Sequence, residues 1–145
     1  MFESGDLKQG DTVIRILYLV AACMFAWPAV VAANPVGSYS VAGENPEDST
    51  RYDGTVSIER YGQVYNVFWN IGGEEFRGTG IGAATVNGEM MFSSATSNDT
   101  AISISFVSEK KIGVALLIKQ ENGQWKGIWN YGESQLIGAE TWSPR

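Results

Sequence analysis

The sequence predicts an all-β fold: an antiparallel, up-and-down β-barrel of about eight strands. Three observations carry that expectation. Val56-Ser57-Ile58-Glu59, Tyr65-Asn66-Val67-Phe68-Trp69 and Ala101-Ile102-Ser103-Ile104-Ser105-Phe106 alternate apolar with polar residues, the period of a strand with one buried face. Between such stretches stand Tyr61-Gly62, Gly72-Gly73, Asn87-Gly88 and Asn122-Gly123, which supply the positive φ of tight hairpins. From Gly37 to Trp142 no helical period intervenes.

Taken in order, the strands are expected at Gly37–Ala42, Thr55–Arg60, Val64–Ile71, Glu75–Val86, Glu89–Ala95, Ala101–Val107, Ile112–Lys119, Trp125–Asn130 and Leu136–Trp142. Only an even number lets the first and last strands of a closed up-and-down barrel pair antiparallel. Eight are therefore expected in the barrel, with Gly37–Ala42 meeting Leu136–Trp142 at the seam. The fourth strand carries Gly78, Gly80 and Gly82 on one face. Glycines so spaced mark either a sharp corner or the close approach of a ligand to bare backbone. Gly43 to Arg51 is polar, contains Pro46 and lacks a period, so it reads as a surface loop. Ser97-Asn98-Asp99-Thr100 reads as a second polar connection.

Residues 1–33 read as a signal peptide and residues 34–145 as a single domain. Lys8 and Arg15 precede an uncharged apolar run from Ile16 to Ala33 that ends in the small residues Val31-Ala32-Ala33. The expected product is periplasmic or secreted, touching a membrane only through this segment. The competing reading is a retained anchor, since the run is near the minimum for a span. Cys23, the single cysteine, is either an apolar residue discarded with the leader or, in Val20-Ala21-Ala22-Cys23, a site of lipidation.

Composition excludes several chemistries. The chain has no His, and its one Cys lies in the leader, so an imidazole base, a Cys–His pair and the usual zinc or transition-metal ligands are missing. No cofactor or metal is expected. The net charge is −6, and it stays acidic without the leader, which argues against nucleic acid as a partner. Enzymatic acid–base work would need Asp53, Glu75 or Glu140 buried beside a pocket. A non-catalytic binding protein is the preferred reading, either for an unknown small ligand or for an extracellular protein.

The aromatic residues carry the binding hypothesis. Tyr65 and Trp69 share one strand face, as do Trp125 and Trp129. They either fill the core or line a partly open barrel, as small-molecule sites are usually lined. The candidate ligand-binding set is Tyr65, Trp69, Arg77, Trp125 and Trp129, with Arg77 placed to anchor an acidic ligand group. The surface-interaction alternative uses the Glu44–Arg51 loop and outward aromatics. Strands that are apolar on both faces also point to a partner chain, and so to a homo-oligomer.

Gly37-Ser38-Tyr39-Ser40-Val41-Ala42, Tyr52-Asp53-Gly54-Thr55-Val56, Tyr65 to Gly73, Phe76-Arg77-Gly78-Thr79-Gly80 and Gly127-Ile128-Trp129 together resemble small exported proteins of alphaproteobacteria, often labelled "fibronectin-binding protein". The likeness runs over nearly the whole chain after Ala33, including Ile137-Gly138-Ala139-Glu140-Thr141. It implies export and, by the label, a matrix-protein partner. This chain departs from the pattern in its acidic Ser40–Arg51 segment. In architecture it also looks like avidin- and calycin-type (lipocalin) barrels, a likeness of shape that brings no biotin site with it.

Overall fold

The computed structural model describes residues 33–108 and 111–145. The expected signal segment, Cys23 included, lies outside them except for Ala33. Nine strands follow one another: β1 (Gly37–Glu44), β2 (Arg51–Tyr61), β3 (Val64–Ile71), β4 (Glu74–Val86), β5 (Glu89–Phe92), β6 (Ala101–Ser108), β7 (Lys111–Lys119), β8 (Trp125–Tyr131) and β9 (Gly138–Pro144). All pairings are antiparallel. The order is β3-β2-β1-β9-β8-β7-β6-β4-β5, and a further β3–β4 pairing closes eight strands into a barrel. At the seam, β1 pairs β9 with Val41 opposite Trp142. Strand β5 stands outside, taking over the edge of β4 where β3 ends.

Several strand boundaries differ from those expected, the largest shifts falling in three places. The β1–β2 ladder runs on to Glu44↔Arg51, so the expected Gly43–Arg51 loop loses Gly43, Glu44 and Arg51 to the strands. Only Asn45–Thr50 turns. Asn45 N–H donates to the Thr50 carbonyl at 2.8 Å, and Asp48 Oδ1 accepts from the Thr50 N–H and hydroxyl. β5 stops at Phe92, where the chain leaves β4 to cross the end of the barrel. β9 starts at Gly138, because Leu136 and the Ser134 carbonyl are held instead by the Asn130 side-chain amide.

The core fills the barrel. Val41, Val56, Ile58, Val67, Ile102, Ile104 and Leu117 are buried with Tyr39, Tyr65, Trp125 and Trp142. Gly78 and Gly80 face inward on β4, where an added Cβ would come within 2.8 Å of Ile104 Cγ2 and 2.9 Å of Ile102 Cγ2. Gly82 is filled by the Asp99 carboxylate and, at 3.0 Å, the Tyr65 ring. Side chains of this protein therefore take up the room that the glycines leave. The same device recurs across the ladders: Gly43 is paired with Tyr52, Gly113 with Phe106 and Gly138 with Trp129. Each ring lies over bare backbone, which fixes its rotamer and keeps it against the wall.

One end of the barrel is closed. The segment from Ser93 to Thr100 crosses it, held by Ala95 N–H to the Gln63 carbonyl and Thr100 N–H to the Ala83 carbonyl. Asp99 is fully buried there. Its Oδ2 accepts from Tyr65 Oη at 2.6 Å and from the Thr96 N–H at 3.0 Å, and its Oδ1 from the Thr96 hydroxyl. A buried carboxylate needs such donors, so the segment expected as a plain polar connection is a lid. The incoming chain seals the same end, with Tyr39 Oη donating to the Pro35 carbonyl at 2.7 Å.

The outer surface carries two apolar areas, one on the extra strand and the adjoining end of β4, where Val86, Met90, Met91 and Phe92 are exposed, and one on β7. On β7, Ile112, Val114, Leu116 and Ile118 all face out and are exposed, with Ile128 and Ile137 beside them.

Candidate functional site

The opposite end is open. Here the β1–β2 turn presents Asn45 and Thr50, β9 presents Glu140, β2 presents Tyr52, and β3 and β4 present Trp69, Ile71 and Phe76. β6, β7 and β8 complete the wall with Phe106, Ala115, Trp129 and Tyr131. Together they enclose a cavity of about 200 Å³. The rings form a connected circuit. Tyr52 meets Trp129 edge-on at 6.3 Å between centroids, Trp129 meets Tyr131 at 5.3 Å, Tyr131 meets Phe106 at 5.8 Å, and Phe106 meets Trp69 at 5.7 Å. Edge-to-face contacts suit the ring quadrupoles. Gly43, Gly113 and Gly138 underlie three of these rings, so the centre of the mouth stays empty.

Glu140 supplies the only ionisable carboxyl of the lining, and it is 8 % exposed. Trp142 Nε1 donates to its Oε1 at 2.9 Å and Tyr52 Oη to its Oε2 at 3.2 Å. Burial pushes the Glu140 pKa up, against the donors Trp142, Tyr52 and Trp69, which pull it back. Burial and the adjacent Glu140 charge push the Tyr52 phenol up as well, so it remains a donor at neutral pH. Trp129 Nε1 is buried without a hydrogen-bond partner.

The five candidate residues separate. Trp69 and Trp129 line the cavity. Tyr65 and Trp125 do not; both are fully buried at the closed end. A spacing of four residues keeps an aromatic and its Trp on one face but moves them roughly 13 Å along the strand, from one end of the barrel to the other. Arg77 is on the outer face, because it alternates with the inward Phe76 and Gly78. Its guanidinium lies 5.6 Å over the Phe68 ring, in an outer groove of about 350 Å³ that also touches Ser57, Glu75 and Arg145. Of the acids considered for catalysis, Asp53 and Glu75 are exposed and Glu140 alone adjoins the cavity.

Sequence reasoning missed Tyr52, Phe76, Phe106 and Tyr131 as lining residues. Parity was the available signal: Tyr131 follows Trp129 by two, and Glu140 precedes Trp142 by two. Among the described residues, no group of three His, Cys, Asp or Glu side chains is placed to hold a metal ion.

No protein-family model matches the chain, and no curated protein is significantly similar to it. What stands is the closed eight-stranded antiparallel barrel with one extra strand.

Proposed function

We propose that this chain is an exported, non-catalytic binding protein that takes a small ligand into the open end of its barrel. One observation carries the reading: a cavity ringed by aromatic side chains, with a single buried carboxyl at its floor. Apolar walls and a few fixed polar groups are the usual makeup of a ligand site. At about 200 Å³ the cavity is smaller than the roughly 300–1,000 Å³ of drug-sized sites, so the ligand is small. Both Glu140 oxygens are engaged by donors, an arrangement that favours a fixed recognition group over a base that moves protons.

Ligand entry should quench Trp fluorescence, because Trp69 and Trp129 stand at the wall. In a screen of small metabolites, Trp129→Phe should weaken the response, whereas Arg77→Ala should leave the affinity unchanged. Loss of binding in Arg77→Ala alone would move the site to the outer groove.

The exposed apolar stripe on β7 favours a second surface function, which we assign to a second copy of the chain. The chain is acidic and repels its own copies, and none of the side chains of this stripe is charged. Light scattering should give a dimer mass, and Leu116→Lys should return it to the monomer. A monomeric wild type would leave the stripe to a different protein, as the fibronectin-binding-like alternative requires.

A further inference from the structure

We propose that the ligand of the open end is a small organic cation, an ammonium group seated against the aromatic circuit with Glu140 as its counter-charge. This rests on the ligand-binding reading above and gives it a chemical class.

Aromatic faces attract cations through the ring quadrupole, and several rings around one void form a cage for substituted ammonium groups. Six rings line this one: Tyr52, Trp69, Phe76, Phe106, Trp129 and Tyr131. The same lining contains no Lys or Arg. Glu140 is held by neutral donors only, Trp142 from β9 and Tyr52 from β2. A carboxylate has about four acceptor sites, so these neutral donors, with the Trp69 indole beside them, leave capacity for a further partner. A buried carboxylate without a cationic partner is costly, and an entering ammonium supplies that partner. An anionic ligand would meet Glu140 with like charge. The acidic chain as a whole also draws cations toward it.

Trp129 Nε1 refines the class. It is a buried donor that makes no well-aligned hydrogen bond, its neighbour being the Tyr52 hydroxyl. A cation that also carries an oxygen, such as an amino alcohol, would satisfy it. Size agrees. About 200 Å³ corresponds to roughly seven waters at about 30 Å³ each, which fits a head group and a short arm.

Choline and its uncharged carbon isostere, 3,3-dimethylbutan-1-ol, separate charge from shape. Titrated into the wild type by calorimetry or Trp fluorescence, choline should bind at least tenfold more tightly than the alcohol. Glu140→Gln should abolish that preference. A second measurement avoids any folding defect of the variant: choline affinity in the wild type against pH. Choline keeps its charge, so its affinity should rise with pH as Glu140 ionises. Other titratable groups near Glu140 are Tyr52 on β2 and Tyr131 on β8, both phenols, while Glu44 on β1 is exposed to solvent. Equal binding of the two probes, or pH-independent choline binding, would overturn the cation proposal and leave the pocket reading standing. So would a preference that survives in a folded Glu140→Gln. If neither probe binds and no neutral metabolite quenches fluorescence, the pocket reading falls too.

Discussion

At the closed end of the barrel a carboxyl (Asp99), two tyrosines (Tyr39, Tyr65) and two tryptophans (Trp125, Trp142) are packed beneath a lid. At the open end a carboxyl (Glu140), two tyrosines (Tyr52, Tyr131) and two tryptophans (Trp69, Trp129) stand around a void. The inventory is nearly the same and the outcome opposite. What differs is the connection across the end. The link from β5 to β6 is long enough to cross the barrel and brings its own carboxylate to anchor on Tyr65. The β1–β2 hairpin continues its ladder to Glu44↔Arg51 and turns at the rim instead. Residue type alone does not decide between core and site; the backbone that passes over the end does.

The largest test of this contrast is truncation of one ring at each end. Trp125→Ala should cost about 3–5 kcal/mol, since it opens a cavity in a sealed core. Trp129→Ala, beside a void already present, should cost about 1–2 kcal/mol, within the ordinary range for a substitution. Urea unfolding of both variants measures the difference, and equal losses would mean that the open end is core as well.

A smaller effect belongs to the tyrosine–carboxyl pairs. Tyr65→Phe removes the 2.6 Å donor to fully buried Asp99 and should cost about 1–3 kcal/mol, as for a buried acceptor left short of a partner. Tyr52→Phe removes a longer bond, 3.2 Å, beside a cavity where water can substitute. Its cost should stay under about 1 kcal/mol. A reversal of this order would sink the assignment of Asp99 as the lid's anchor.

The smallest effect is the pH response of the open end. Because burial raises the Glu140 pKa, the unfolded chain ionises it near its ordinary 4.5 while the folded chain still holds the proton. Its contribution to stability is therefore full below that pH and declines as pH rises through the folded value. Thermal melts from about pH 4 to about pH 8 should show that decline in the wild type and a flatter profile in Glu140→Gln. Identical profiles would place the pH response elsewhere.

Strand order and the seam were readable from sequence because they depend on local signals. Asn87-Gly88 takes the positive φ values that its hairpin needs, 52° and 84°, and alternation marks which face of each strand turns inward. The outward position of Arg77 was available from the same alternation, since the inward glycines beside it fix its parity, yet the expected ligand-binding set places it at the pocket instead. The division into two ends was not. Tyr65 and Trp69 differ only in height along one strand, and height acquires meaning only when Asp99, from 34 residues further on, comes to rest on Tyr65. The glycine–ring pairs are hidden for the same reason: Gly138 and Trp129 become partners only through the β8–β9 register.

The incoming chain meets the barrel at its sealed base. Lys119 Nζ donates to the Ala33 carbonyl at 2.7 Å, and Asn34 N–H donates to the Ser97 carbonyl at the same distance. The first described residues are therefore tied to the lid and to the end of β7, at the pole away from the ring-lined cavity. Strain at that base would meet the lid first and leave the mouth of the cavity undisturbed.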